Sequence, residues 1–351
     1  MFDWLSEANT AALIGLLGGI VLGLAARVGR FCTLGAVEDF LYGEDDRRLR
    51  MWGVAIGVAV FSAHLALAAG AFDPTTSIYL SRGWSPVATV LGGLMFGYGM
   101  ALSGTCGHGA LARLGGGDLR AFVMVLIMGL SAYVVLSGPL AATRIWLFPV
   151  EDNVATPQGL GYLIENAIQM PPALTGLVVG TMILAIALSS RDMRQDRSKV
   201  FWGAMVGLAI TSGWVGTHWI ATTGFGNEPV ETHAFVAPVG DTIYYAMTAS
   251  GNTLSFSVGS VVGVIVGASI ASVRQGHFRW EACEDPRELR RQMLGAALMG
   301  PGAVLALGCS IGQGLSAFST LALSAPLALL AIFAGAGLGL RQLITGLLTK
   351  D

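Results

Sequence analysis

Three cysteines recur at one register of an apolar, glycine-rich pattern. The stretch Leu91–Gly109 (LGGLMFGYGMALSGTCGHG) occurs again, without gaps, as Leu294–Gly312 and, earlier in the chain, as Leu17–Gly35. Each copy begins with Leu-Gly and ends on a glycine that lies three residues after a cysteine. The recurring thiols are Cys32, Cys106 and Cys309. Because the chain has only four cysteines, this recurrence indicates that the three thiols form the functional centre.

The chemistry of these stretches favours a soft anion. Each cysteine is followed by a segment too short to cross a bilayer, near 35–42, 109–114 and 311–319, which predicts a re-entrant loop with a half-helix just after the thiol. A half-helix N-terminus offers unpaired N–H groups and the positive end of its dipole. Glycine lets an anion approach the backbone closely, and a thiol is a weak, polarizable donor. The predicted ligand is a sulfur-bearing anion, bound with the help of Gly35, Gly109 and Gly312.

Three polar side chains beside the thiols are further candidates for binding the anion. Arg30 precedes Cys32 and either attracts an anion or only snorkels to the membrane interface. His108 follows Cys106 and either contacts a ligand or is structural, and Gln313 occupies a similar position after Cys309. The other histidines share no ligand spacing, so the sequence predicts no metal and no cofactor.

The composition places the chain in a membrane. It is 54% hydrophobic and only 12% charged, whereas a soluble domain carries roughly a quarter charged residues. The net charge of −2 gives no support for nucleic acid as a partner. Apolar segments of helical length lie near 11–29, 51–70, 87–103, 121–138, 172–189, 200–220, 254–272, 294–308 and 322–341. The predicted fold is therefore an all-α polytopic membrane protein with about nine transmembrane helices plus short re-entrant helices.

Arginines alternate from one side of the predicted membrane to the other. The loops 71–86, 139–171 and 221–253 carry only Arg82 and Arg144, whereas the remaining loops are rich in arginine. The positive-inside rule then predicts a periplasmic N-terminus and a cytoplasmic C-terminus. The second and third cysteine stretches would run in opposite directions, which is typical of an inverted repeat. We expect one integrated membrane domain built from halves 1–150, with Cys32 and Cys106, and 151–351, with Cys309.

The stretches GRFCTLGA, SGTCGHGALARLGGG and LGCSIGQGLSAFS, in that order, resemble the YeeE/YedE family of bacterial sulfur-transport proteins. The resemblance implies a unit of nine membrane helices in the inner membrane, pinched where the cysteine-bearing loops meet. It also implies inward passage of thiosulfate, with Cys32, Cys106 and Cys309 hydrogen-bonding the ion in succession. A cytoplasmic sulfur-carrier or sulfurtransferase protein is the partner that the resemblance suggests.

Three hypotheses follow for the function. The first is an inner-membrane transporter for a small sulfur anion, most simply thiosulfate, rather than an enzyme. The second is a membrane sulfurtransferase-like protein in which a cysteine forms a persulfide. The third is a non-transporting subunit in which buried cysteines only pack.

Overall fold

The computed structural model describes residues 6–150, 156–224, 228–282 and 285–345, and within these ranges the chain is helical with no strands. Cys283, the fourth cysteine, lies outside the described residues. The helices are α1 (Glu7–Arg27), α2 (Thr33–Tyr42), α3 (Arg47–Ala68), α4 (Ile78–Ser81), α5 (Pro86–Ser103), α6 (Gly107–Gly115), α7 (Leu119–Leu136), α8 (Ala141–Leu147), α9 (Leu160–Ile168), α10 (Pro172–Ala187), α11 (Arg191–Gln195), α12 (Arg197–Thr223), α13 (Ala237–Thr248), α14 (Phe256–Arg274), α15 (Pro286–Leu305) and α16 (Ser324–Thr345). A short 3₁₀-helix covers Pro74–Thr76, and a π-helical turn covers Gly312–Ala317.

Each of the nine apolar segments found in the sequence coincides with a helix. Seven helical stretches of the described chain are long and apolar enough to cross a membrane: α1, α3, α5 with α6, α7, α12, α14 and α16. Helix α10 is apolar but has only 16 residues. The all-helical polytopic fold is thus confirmed, and the protein has several membrane-spanning helices.

The eighth segment differs in its bounds from the predicted 294–308. Helix α15 begins at Pro286, after Asp285 accepts a hydrogen bond from the Arg287 amide at 2.8 Å, and it ends at Leu305. Its first two turns contain Arg287, Arg290 and Arg291, which do not register as apolar sequence. The helix therefore has 20 residues, although its apolar part alone is short for a span.

Serine and aspartate start several of the long helices. The side chains of Ser6, Ser85 and Ser255 each accept a hydrogen bond from an amide in the first turn of α1, α5 and α14. Such caps satisfy N–H groups that have no partner within the helix. An N–H group without a hydrogen bond is costly inside a bilayer. These caps fix where the spans begin, and hence where the cysteine loops that follow some of them lie.

Glycines allow the helices to pack with their backbones in contact. In the α1–α14 pair, Gly15, Gly19 and Gly23 face backbone carbonyls of α14, while Gly263 and Gly267 face carbonyls of α1. A Cβ added at Gly263 would lie 2.3 Å from the Leu16 carbonyl oxygen. Close approach of this kind is how membrane helices associate without a hydrophobic driving force.

The contacts of α5 and α15 follow the repeat seen in the sequence. Gly97 of α5 packs on α16, and Gly300, its counterpart in α15, packs on α7. Gly99 of α5 faces α15, and its counterpart Gly302 faces α5. Equivalent glycines therefore make equivalent contacts, as two related halves facing each other would produce. The division into halves at residue 150 stays a prediction.

An ion-pair cluster ties the arginine-rich end of the helices together. Asp118, which caps α7, pairs with Arg113 at 2.7 Å and Arg120 at 3.2 Å. Burial disfavours the charged carboxylate, but the two arginines outweigh it and hold the pKa of Asp118 below its ordinary value. The amide of Glu281 donates to the Gly117 carbonyl at 3.1 Å, so the loop before α15 is fastened to the turn between α6 and α7.

The glycine contacts predict a site-specific loss of stability. Gly263→Ala should lower the free energy of unfolding by about 1–3 kcal/mol, because overpacking a tight interface forces the backbones apart. Thermal denaturation of the detergent-solubilised protein measures it. Gly251→Ala is the matched control, since a Cβ there would meet nothing closer than 3.9 Å. Equal melting temperatures for the two variants would contradict this account of helix packing.

Candidate functional site

Each of the three repeated cysteines caps a short helix. The sulfur atoms of Cys32, Cys106 and Cys309 accept hydrogen bonds from the amides of Gly35, Gly109 and Gly312, each at 3.4 Å. Helices α2 and α6 begin at the residue after Cys32 and Cys106, and helical backbone likewise starts at Ser310, after Cys309. The prediction of a short helix beginning just after each thiol is confirmed.

A left-handed residue breaks the backbone two positions before each thiol. Arg30 has φ of 55°, Gly104 has φ of 72° and Leu307 has φ of 57°. This conformation is unfavourable for residues other than glycine, and strain of this kind concentrates at functional sites. The repeat is therefore preserved in the backbone even where the residue type changes, which the sequence alone did not show.

The three cysteine loops meet at Thr33. Its hydroxyl lies 3.1 Å from the Ser310 hydroxyl and 3.8 Å from the Cys106 sulfur. Thr33 follows Cys32 and Ser310 follows Cys309, so these two bonds join all three loops. Thr33, Cys106 and Ser310 are each at most 1% exposed. Neither Thr33 nor Ser310 was predicted from the sequence, although their positions directly after repeated cysteines were a signal that could have identified them.

A cavity opens onto the first thiol. It has a volume of about 620 Å³ and is lined by Cys32 together with Arg27, Arg30 and Arg48. We call it the Cys32 cavity. Arg30 is exposed and lies at this wall. Attraction of an anion by Arg30 stays a prediction. Gly35 lies beside Arg48, since a Cβ at Gly35 would sit 2.5 Å from the Arg48 guanidinium.

A separate cavity of about 270 Å³ opens onto the third thiol. We call it the Cys309 cavity. Its ionisable lining residues are Tyr79, Arg82, Arg144, Glu231, Asp241 and Cys309. Residues 234 and 236–238, from the long 221–253 segment, form part of its wall. Cys106 lines neither cavity and is buried, with the Thr33 hydroxyl 3.8 Å from its sulfur atom.

His108 is buried beside Cys106, with its Nε2 atom lacking a hydrogen-bond partner. Its ring lies 5.1 Å from the ring of Phe235. The Phe235 ring also stacks on His233, with 6.4 Å between the ring centroids. The Nδ1 of His233 is 2.6 Å from the Ser260 hydroxyl, and its Nε2 also lacks a partner. His233, for which the sequence predicted no role, thus contributes to the site through the 221–253 segment.

Gln313 fastens the third loop to the rest of the protein. Its Nε2 donates to the Ala306 carbonyl at 2.7 Å, and its Oε1 accepts from the Ser324 hydroxyl at 3.3 Å. The side chain is fully buried. Both ends of the amide are engaged, so Gln313 holds the Cys309 loop against α15 and α16. Binding of an anion by Gln313 stays a prediction.

The glycines after the thiols differ in how tightly they are enclosed. A Cβ at Gly109 would lie 2.2 Å from the Thr105 hydroxyl, whereas one at Gly312 would have 3.4 Å to both Tyr79 and Ala234. The space beside Gly312, near Cys309, could thus hold a methyl group, and the Tyr79 hydroxyl borders this space. Among the described residues, no group of three or more side chains is placed to hold a metal ion.

Comparisons with known proteins identify the family of this chain. A model of the Sulphur transport family matches residues 28–338, a range that includes all three repeated cysteines. The chain is 27% identical over 323 residues to the thiosulfate transporter TsuA of Spirochaeta thermophila, covering 90% of this chain and 93% of that protein. It is 25% identical over 321 residues to the thiosulfate transporter TsuA of Escherichia coli, covering 86% of each. The chain therefore belongs to the Sulphur transport family, the YeeE/YedE family that its three cysteine stretches resemble.

Proposed function

We propose that this protein takes up a small sulfur-containing anion, thiosulfate or a close relative, along a path that passes Cys309, Cys106 and Cys32. The observation that supports this most strongly is the junction of the three cysteine loops at Thr33, with a cavity reaching a thiol on either side. The two relatives described above are thiosulfate transporters by name. The family is one of transporters, not of enzymes.

The positions of the arginines indicate how the path is oriented in the membrane. The Cys32 cavity lies at the end where Arg27, Arg30 and Arg48 gather, close to residues 275 and 277 of the basic loop. The positive-inside rule makes this the cytoplasmic end and the Cys309 cavity the periplasmic end. We therefore propose a periplasmic N-terminus, a cytoplasmic C-terminus and a location in the bacterial inner membrane.

Positive groups at both ends of the path favour an anion. Arg82 and Arg144 line the Cys309 cavity, and three arginines line the Cys32 cavity. Low-dielectric walls focus their potential and raise the local concentration of anions. Between the cavities the ion leaves its water shell, and the N-termini of the short helices offset part of its charge.

The capping bonds orient the thiols as donors. Because each sulfur accepts an amide hydrogen from its own short helix, its S–H proton is directed away from that helix. A bound anion then accepts this proton in a hydrogen bond. The donor is weak, so binding at each thiol is weak enough for release to the next, as transport through successive sites requires.

The buried Nε2 of His108 suits a second contact to the ion near Cys106. A buried polar atom without a partner is costly, and a passing ligand or water would satisfy it. Gly35, Gly109 and Gly312 carry no side chains that could cover the three thiols. On the cytoplasmic face, a soluble sulfur-carrier or sulfurtransferase protein would consume the released anion and thereby favour inward flux.

Cys106 gives the most direct test of the path. Cys106→Ala should lower thiosulfate uptake by about tenfold, because a weakly donating thiol contributes about 1.5 kcal/mol, the low end of the range for hydrogen bonds to charged groups. Uptake by cells that express equal amounts of each variant measures it. Cys283→Ala is the control, since Cys283 matches no copy of the repeat. Normal uptake by Cys106→Ala would contradict the proposal.

Mass spectrometry separates the transporter from a sulfurtransferase. Intact protein incubated with thiosulfate should carry no stable sulfur adduct on Cys32, Cys106 or Cys309, because the ion is held by hydrogen bonds alone. A persulfide on one of these thiols in the wild type, lost in the corresponding alanine variant, would support the covalent mechanism instead.

The junction between the loops predicts an effect of Thr33. Thr33→Val keeps the shape of the side chain but removes the hydroxyl that contacts Ser310 and Cys106. We expect uptake to fall while the protein remains folded, because the three loops lose their shared hydrogen bonds. Thr181→Val removes an exposed hydroxyl that bonds only within α10, and it should transport normally. Identical uptake by the two variants would show that the junction does not matter for transport.

A further inference from the structure

Two carboxyl groups lie in the Cys309 cavity of a protein that moves anions. Glu231 lies between α12 and α13, outside the membrane-spanning helices, and Asp241 lies on α13. Both also line a neighbouring cavity of about 340 Å³. Glu231, Asp241 and Ser257 are shared by the two cavities and form the boundary between them. An ion that passes this boundary comes close to both carboxyls.

Glu231 is held rigidly at this boundary. Its backbone amide donates to the Thr217 hydroxyl at 3.2 Å, and that hydroxyl donates to the Glu231 carbonyl at 2.8 Å. Its carboxyl oxygen Oε2 accepts from the Ser257 hydroxyl at 3.1 Å. Within the described residues Glu231 forms no ion pair. Its backbone is thus fixed by α12 and its carboxyl group by α14.

The groups around Glu231 carry both signs of charge. On the side of the Cys309 cavity the titratable groups are Tyr79, Arg82, Arg144, Asp241 and Cys309. On the other side are Tyr244 and Tyr245 of α13, and Glu228 precedes Glu231 on its own segment. Asp241 accepts a hydrogen bond from the Tyr133 hydroxyl of α7. Two further carboxylates therefore disfavour a negative charge on Glu231.

We propose that Glu231 is a proton-binding site linked to anion binding, so that the sulfur anion occupies the Cys309 cavity when the Glu231 carboxyl is neutral; this inference rests on the function proposed above. A proton from the outer solution bonds to a carboxylate oxygen of Glu231, and no electrons are transferred. An ionised carboxylate would repel a sulfur anion in the same small cavity, and protonation removes that repulsion. By linkage, proton binding and anion binding strengthen each other by the same factor.

The proton affinity of the site fits this role. Burial raises the pKa of Glu231 to about 7, against the effect of the Ser257 hydrogen bond and assisted by Asp241 and Glu228. Burial likewise raises the pKa of Asp241. The neutral form of Glu231 therefore predominates below about pH 7 and the charged form above it. Anion binding should be strong at low pH and weaken as the pH rises through this value.

Uptake of thiosulfate by proteoliposomes between about pH 6 and pH 8 tests the linkage. Wild-type uptake should fall as the external pH rises, approaching about tenfold per unit above the pKa. In Glu231→Gln, which is neutral at every pH, uptake should not change with pH. Glu44→Gln removes an exposed carboxyl that is far from Glu231 in the sequence, and this variant should keep the wild-type pH profile. A Glu231→Gln variant with the wild-type profile would overturn the proposal.

A second measurement separates this proposal from the transport function itself. Thiosulfate added to detergent-solubilised wild type near pH 7.5 should draw protons from a weakly buffered dye solution, and Glu231→Gln should draw none. Normal thiosulfate flux without this proton uptake would reject the role of Glu231 and leave the transport function intact. Proton uptake on thiosulfate addition without flux would reject transport and retain the linked site.

Discussion

The hydrogen bond from a glycine amide to a cysteine sulfur is the interaction on which the site depends. It occurs three times, at 3.4 Å each time, at the start of three short helices. The bond places each thiol over a helix N-terminus and satisfies an amide that would otherwise lack a partner. Serine or aspartate would cap these helices more strongly, so the choice of cysteine indicates a task other than capping.

That interaction is useful only because the long helices pack closely enough to bring the three loops together. Glycines such as Gly19 and Gly263 let backbones touch, and the α5–α15 and α5–α16 contacts use the same device. The left-handed residues Arg30, Gly104 and Leu307 follow the ends of the preceding helices and change the direction of the backbone before each thiol. Thr33 and Ser310 are in contact there as a result, although 277 positions separate them in the chain.

Much of the fold and of the site followed from local sequence patterns. Runs of apolar residues marked the helices, and the repeated Cys-x-x-Gly spacing marked the starts of the short ones, because both depend on neighbours along the chain. The start of α15 was missed because arginines occupy its first turns. Tyr79, His233 and Glu231 were missed for a different reason. They reach the site through contacts between distant helices, and nothing near them in the sequence records that neighbourhood. Binding of an anion by Gln313 stays a prediction. In the structure both ends of its side-chain amide bond to the protein itself.

The central claim is that three weakly donating thiols select a soft sulfur atom rather than a charge alone. Thiosulfate and sulfate are dianions of similar shape that differ by one sulfur in place of one oxygen. The most direct measurement is therefore the flux of each ion into proteoliposomes that contain the purified wild-type protein. The account predicts that thiosulfate enters and sulfate does not. Equal entry of the two ions would contradict it, because charge and size alone would then explain the passage.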